Sequence, residues 1–316
     1  MTKIMKRFQE ILLHVYPDRP MVGAIERVHW LASHTGATVT VFGVLDNHIS
    51  LFGNFLSAPR DEASGPNHQS FENELTLITQ GFTDDGIQAR MIMSEGAEVA
   101  EILKQIAVGN HDLVVKSMDR TQGSALWPSV DLQLLRQCPT ALWLLHPDHP
   151  SRVQHLLAAV DLDVDSDPDH ALINETVMEM ATSLAVIDNG LLDVLHAWWM
   201  PEESGLRHGL LREPKEVVDQ LVATAKNEAH WCLSKLTERH AHPDIDMHTR
   251  LIAGQPAEVI PTYAAEQGVD TLIMGTVGRT GFANLLIGNT AEDVLKKLHC
   301  SLLVVRPPSD EVSTST

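Results

Sequence analysis

The sequence predicts an α/β protein built as two tandem open parallel five-stranded sheets, each with helices on both faces. Three observations carry that prediction. Short apolar runs alternate with longer stretches of helical spacing along the whole chain. Strands separated by helices need crossover connections, which make the sheet parallel and cover both its faces. The second observation is an internal repeat. Ile11-Leu12-Leu13-His14-Val15-Tyr16 matches Leu156-Leu157-Ala158-Ala159-Val160-Asp161, and Asp112-Leu113-Val114-Val115-Lys116-Ser117 matches Asp270-Thr271-Leu272-Ile273-Met274-Gly275. Leu142-Trp143-Leu144-Leu145-His146-Pro147 likewise matches Leu302-Leu303-Val304-Val305-Arg306-Pro307. The third is a glycine-punctuated loop between a strand and a helix in the second copy.

At 316 residues the chain has the length of two ordinary domains. The first domain is placed at 1–147 and a short linker, around Pro147-Asp148-His149-Pro150, at 148–150. The second domain follows at 151–308, and the polar tail 309–316 is expected to be disordered. In the first copy, strand 1 falls at 11–15 and a helix at 21–33, with Val22, Ile25, Val28 and Leu31 on one stripe. Strand 2 is 38–44, and 49–67, with its Gly, Pro and Ser, reads as a loop. A polar helix at 71–82, strand 3 at 87–93, a helix at 98–108, strand 4 at 112–116, a helix at 130–137 and strand 5 at 141–145 complete the copy. In the second, strand 1 is 156–160. Asp167-Pro168 starts a helix with Pro near its first position, running to 185. Strand 2 is 191–197, 198–212 a loop and 215–239 a long helix. Strand 3 at 245–251, a helix at 256–267, strand 4 at 271–274, a helix at 291–298 and strand 5 at 302–305 follow.

Composition narrows the function. A net charge of −19 argues against nucleic-acid and anionic-membrane partners, since phosphates would repel the chain. The three cysteines, Cys138, Cys232 and Cys300, form no CxxC pair and read neither as a disulfide scaffold nor as a zinc finger. Cys138 and Cys300 precede apolar strands and are expected in the core. No run reaches transmembrane length, and the first residues do not read as a signal peptide. A cytoplasmic protein is expected.

Thr271-Leu272-Ile273-Met274 has the character of a buried strand. Gly275, Gly278 and Gly288 then punctuate the path to the helix at 291–298. Glycine lets backbone approach a ligand closely, and a helix start offers free N–H groups and a positive dipole end to an anion. The spacing is neither that of the GxGxxG fingerprint nor that of the P-loop. A Gly-x-x-Gly pair, nine residues and a further Gly resembles the ATP-binding loop of the universal stress protein family. The flanks Gly254-x-Pro256, Gly268 to Gly275 and Leu302 to Pro307 fit the same resemblance. One position departs from it: the residue after the last glycine, usually Ser or Thr, is Asn289, with Thr290 next. Asn can cap a helix or donate an amide hydrogen bond, but it is a different group.

The resemblance implies a tandem member of that family, similar to its E type, with strand order 3-2-1-4-5 in each domain. In that order strands 1 and 4 straddle the topological switch point, where such sheets bind ligands beyond their carboxyl ends. Asp161 then meets the glycine loop. By the same resemblance, Asp161 is the carboxylate that meets the adenine or ribose, and Ala197 is the backbone contact to adenine. Met274 and Gly275 are the floor under the ribose. Gly278, Arg279, Gly288, Asn289 and Thr290 are the phosphate cradle, with Arg279 offsetting phosphate charge. The implied cofactor is ATP, and Asp161 with Asp163 offers carboxylates to Mg²⁺. The resemblance further implies a homodimer of tandem chains and protein partners it does not identify. A plainer reading stays open for each residue: a tight turn, a turn acid, a solvated loop charge.

The first copy lacks these features. Tyr16 stands where Asp161 does, and Ser117, Arg120 and Pro128 replace the three glycines. Side chains there block backbone approach to phosphate, and proline removes a donor. Nucleotide is therefore expected in the second domain only. Trp127, Trp143, Leu51, Phe52, Phe55 and Leu56 either line an apolar pocket or simply fill core and loop. Among the seventeen histidines, His240 and His242 with Asp244, Asp246 and His248 have ligand types that suit zinc. No general base or arginine finger is identifiable, so hydrolysis of ATP would be slow at most. Two rivals to a nucleotide-dependent stress-response module remain: a scaffold acting through protein partners or an apolar ligand, and, third, an adenylating enzyme of the wider fold.

Overall fold

The computed structural model describes residues 8–17, 19, 21–45, 68–119, 129–148, 151–162, 168–209, 212–275 and 289–306. The expected loop at 49–67 and the polar tail lie outside the described residues. The chain gathers into two compact units, Met1–Arg152 and Val153–Thr316.

The first unit runs β1 (Glu10–Val15), α1 (Val22–Thr35), β2 (Thr38–Leu45), α2 (His68–Asp84), β3 (Ala89–Glu95), α3 (Glu98–Gly109), β4 (Leu113–Ser117), α4 (Val130–Gln137) and β5 (Ala141–Leu145). Its strands pair in parallel in the order β3-β2-β1-β4-β5. The second runs β6 (His155–Ala159), α5 (Pro168–Asp188), β7 (Leu191–Trp198), α6 (Glu203–His208), α7 (Lys215–Arg239), β8 (Met247–Ala253), α8 (Pro256–Gln267), β9 (Thr271–Gly275), α9 (Asn289–Lys297) and β10 (Ser301–Val305). Its order is β8-β7-β6-β9-β10, again all parallel. Both units therefore have the order 3-2-1-4-5. The central strands are buried along nearly their whole length rather than on alternate residues, as a sheet covered on both faces requires.

The repeat extends to particular side chains. Asp112, just before β4, accepts from the backbone N–H groups of Gln9 (2.7 Å) and Glu10 (3.2 Å). Asp270, just before β9, accepts from those of Gln154 (2.7 Å) and His155 (3.1 Å). In each unit one carboxylate pins the start of the first strand to the fourth. Gly96 and Gly254 also correspond. Their N–H groups donate to Leu45 O and Trp198 O, both at 3.0 Å, and their φ angles of 143° and 140° need glycine. Cys138 and Cys300 lie in the core as expected, and burial pushes the Cys300 thiol up to about 12.

Two expectations are corrected. The helical face of α1 is rotated from the stripe read in the sequence. Val22 is 63% exposed, while Ala24, Arg27, Val28, Leu31 and Ala32 are buried. An arginine defeats the apolar pattern here: the Arg27 guanidinium lies 4.5 Å from the Trp143 ring centroid, and its Nη1 donates to Ser151 O at 3.4 Å. Trp143 is thus a core residue. The stretch 198–212, read as a loop, holds α6. That helix is too short for periodicity to show. The Arg207 guanidinium supports it, with Nε donating to Glu203 at 2.8 Å and Nη1 lying 2.8 Å from Asp219 of α7.

Candidate functional site

β6 and β9 are neighbours, with Ala159 opposite Met274. Their exits therefore lie side by side at the switch point, and Asp161 comes next to Gly275. The turn carrying Asp161 is held by two side chains that the sequence reading did not single out. Asn174, buried on α5, accepts from Asp161 N through Oδ1 (3.0 Å) and donates through Nδ2 to Asp161 O. His196, buried on β7, bonds through Nδ1 to Val160 O at 3.1 Å. Asp161, its backbone held in this way, is an exposed residue just past the carboxyl end of β6. The available signal was a polar residue inside an otherwise apolar helical face: Ile173, Asn174, Val177, Met178 and Ala181 are all buried.

The other expected residues are placed as follows. Ala197 is buried near the end of β7, opposite Ile252. Met274 is buried, and Gly275 ends β9. A Cβ on Gly275 would fall 2.2 Å from Ile173 Cγ2 of α5. Packing alone thus requires glycine there. Asn289 and Thr290 open α9, where the Glu292 carboxylate also lies in the first turn. Gly278, Arg279, Gly288 and Asp163 lie outside the described residues.

The histidine group is not drawn into one site. His240 bonds Glu175 at 2.6 Å, and Arg239 pairs with the same carboxylate. Burial pushes the Glu175 carboxyl up, but these two bonds outweigh it and hold it low. His242 lies 3.7 Å from Asp244. His248 faces Asp246 at 3.2 Å and Asp193 at 3.5 Å. Asp193 is the buried centre of a separate network toward the start of the strands. It accepts from His155 and Tyr263, both at 2.8 Å, and lies 3.2 Å from Arg250. Among the described residues no three His, Cys, Asp or Glu side chains are grouped to hold a metal ion.

The equivalent place in the first unit is filled from within. Lys116, on β4 where Met274 stands on β9, is 0% exposed. Its Nζ pairs with Asp131 of α4, donates to Ser117 O at 3.0 Å and lies 3.5 Å from Asp119. Asp131 also accepts from Asp119 N at 2.8 Å. Tyr16, at the position of Asp161, donates to Asp119 at 3.2 Å, and the Arg19 guanidinium lies over its ring at 4.3 Å. Burial pushes the Tyr16 phenol and the Glu98 and Asp131 carboxyls up. Beneath them His14 is 1% exposed. Its Nε2 is 3.7 Å from Glu98, too far for a hydrogen bond, and burial with Lys116 and Arg19 nearby lowers it to about 3.

Two doubly wound α/β units, each with strand order 3-2-1-4-5 and therefore a switch point between the carboxyl ends of its first and fourth strands, define a class of duplicated α/β protein. A family model described as "Universal stress protein family" matches residues 152–306. Universal stress protein E of Salmonella typhi is 25% identical over 318 residues, covering 98% of this chain and 97% of its own. The universal stress protein E homolog of Haemophilus influenzae is 30% identical over 224 residues, 66% of this chain and 67% of its own. Among solved structures, a functionally unknown protein from Pseudomonas aeruginosa PAO1 shares the fold, with a TM-score of 0.70 at 20% identity over 95% of this chain and 93% of its own. The chain belongs to the universal stress protein family. No helix among the described residues is long and apolar enough to cross a membrane.

Proposed function

We propose that the second domain binds an adenine nucleotide, ATP with Mg²⁺, and acts as a nucleotide-dependent regulatory module in the stress response. Hydrolysis is slow at most. One observation supports this above the others: Asn174 fixes the backbone of Asp161 at the switch point, just past the strand beside the one that Gly275 ends. A carboxylate there suits a ribose hydroxyl or an adenine amine, and the α9 start suits phosphate. Calorimetric titration with Mg-ATP, beside a Gly278→Ala, Gly288→Ala variant, tests the reading. Saturation at one nucleotide per chain, lost in the variant, is the expected result. Two nucleotides per chain would sink the assignment of the first domain as silent.

A second reading has its own observation. The contact with Ile173 explains Gly275 without a ligand, and Asn289 is not the expected hydroxyl. On that reading the chain is a scaffold that works through protein partners, and millimolar Mg-ATP gives no heat. The nucleotide reading also carries a homodimer of tandem chains in the cytoplasm. Sedimentation at micromolar concentration, with and without ATP, would reveal a monomer if that part is wrong.

A further inference from the structure

Between α1 and α2 of the first unit lies a groove of about 620 Å³, within the roughly 300–1,000 Å³ usual for small-molecule sites. Its lining is apolar and aromatic, with Ile25 and Trp30 from α1 and Leu77, Ile78 and Phe82 from α2. Leu77 is 70% exposed, so the apolar surface is open to a ligand. Gly81 keeps it open, since a Cβ there would meet nothing within 4 Å.

The polar groups at this groove are unequal. His29 and Asp85 satisfy each other at 2.7 Å, and the His29 ring stacks on Phe82 with centroids 5.9 Å apart. Glu26 is exposed to water. Arg152 is different. Its guanidinium lies over Trp30, 3.7 Å from the ring centroid, and has no carboxylate partner among the described residues. The chain carries 42 acidic residues against 23 lysines and arginines, so a guanidinium without an acid is out of keeping with its surroundings. Stacking fixes its plane and leaves its edge N–H groups to meet a carboxylate with two parallel bonds. Trp30 Nε1 is also buried without a hydrogen-bond partner.

We infer that this groove binds a flat apolar monocarboxylate, an aryl acid, whose ring rests on the Ile25, Leu77 and Ile78 lining and whose carboxylate pairs with Arg152. Among the described residues Arg152 is the one arginine or lysine of the lining and shares it with the Glu26 and Asp85 carboxylates, so the groove suits one negative charge at Arg152 and disfavours more highly charged anions such as phosphate esters. The site is independent of nucleotide binding in the second domain.

The test is calorimetric titration of the full chain with 2-naphthoate beside 2-naphthylmethylammonium, which differs in the sign of its charge. Naphthoate saturates at one per chain, and the ammonium binds at least tenfold more weakly. Arg152→Gln removes that preference. Gly81→Phe fills the groove and abolishes uptake without lowering the melting temperature, because a helical glycine facing open space is replaced. Equal binding of the two probes, no naphthoate binding at millimolar concentration, or binding that survives Gly81→Phe each overturns the proposal. Self-association of the free chain that Gly81→Phe abolishes would assign the groove to a second copy instead, and overturns it equally.

Discussion

At the carboxyl ends of β1 and β4 the first domain places Tyr16 and Lys116, with Asp131 in the first turn of α4. At the carboxyl ends of β6 and β9 the second places Asp161 and Met274, with Ala291 in the first turn of α9. In the first domain two ion pairs form at this place: Lys116 with Asp131, and Arg19 with Asp119. In the second, Asp161 is an exposed residue, and Met274 and Ala291 are buried apolar residues. A switch point filled by a buried ion pair offers little to a ligand, whereas one floored by apolar residues has, among the described residues, no such pair in the way. Duplication of one fold has thus placed Lys116 and its ion pair with Asp131 at one switch point, and Met274 with Ala291 at the other.

The comparison can be broken most severely at the buried ion pair. Asp131→Ala removes the nearest partner of the buried Lys116 ammonium and leaves it Asp119 at 3.5 Å, and breaking a buried pair from one side costs about 3–5 kcal/mol. Lys116→Met with Asp131→Ala installs the second domain's own residues, Met274 and Ala291. Replacing a buried pair by apolar groups is often neutral or stabilising, so this double variant should lie within about 1 kcal/mol of the parent. Urea midpoints at constant m-value measure both. If the double variant is as damaged as Asp131→Ala, the network supports the fold in some way other than charge pairing.

Gly275 sharpens the comparison from the other side. Gly275→Ala drives a methyl onto Ile173, an overpacking that costs about 1–3 kcal/mol. Ser117→Gly, at the matching position of the first domain, should cost only the roughly 0.5–1 kcal/mol of glycine's extra chain entropy. Adding Ile173→Ala to Gly275→Ala should recover part of the lost stability. If ATP binding returns together with stability, the glycine serves packing. If stability returns and binding does not, it serves the ligand.

The fold was legible because its signals are repeated. Apolar runs flanked by helical spacing recur in each half, and the Asp112 and Asp270 segments align without gaps. The face of α1 was not legible, because Arg27 is buried by stacking on Trp143, and no apolar pattern announces a buried arginine. Nor was α6, whose support is an ion-pair relay through Arg207 rather than periodicity. At the candidate site, Asp161 and Gly275 could be read from their place after strands. Asn174 could not. It acts on the backbone of a residue thirteen positions away, and only the packed helix brings it there. The Lys116–Asp131 pair was hidden for the same reason: strand and helix must fold together before the two charges meet.

Asn174→Ala measures how far that support matters. It strips both backbone hydrogen bonds from Asp161 and should weaken Mg-ATP about tenfold, roughly 1.4 kcal/mol. A merely structural loss would reduce affinity for every nucleotide alike. Loss of positioning should instead erase discrimination at the group Asp161 meets, so the ratio of ATP to 2′-deoxyATP affinity, or of ATP to GTP affinity, should fall toward one. Unchanged ratios beside a lowered melting temperature would demote Asn174 to a packing residue.

The smallest effect lies beneath the closed crevice. The His14 imidazole, ordinarily titrating near 6.5, is held neutral to about 3 in the folded chain. The unfolded chain takes up that proton as pH falls below 6.5 and the folded chain does not, so His14 costs stability in the window from about 6.5 down to about 3. Between pH 7 and pH 6 the linkage amounts to about 0.7 kcal/mol, approaching about 1.4 kcal/mol per pH unit further down. His14→Phe keeps a ring against Tyr16 and Phe42 and has no proton to gain. Its urea midpoint should therefore fall less than the parent's between pH 7 and pH 6, by that amount. The matching position of the second domain cannot behave this way, because Ala159 stands where His14 does. Parallel profiles for parent and variant would mean that water reaches His14, and that the first domain's crevice is less closed than its ion pairs make it.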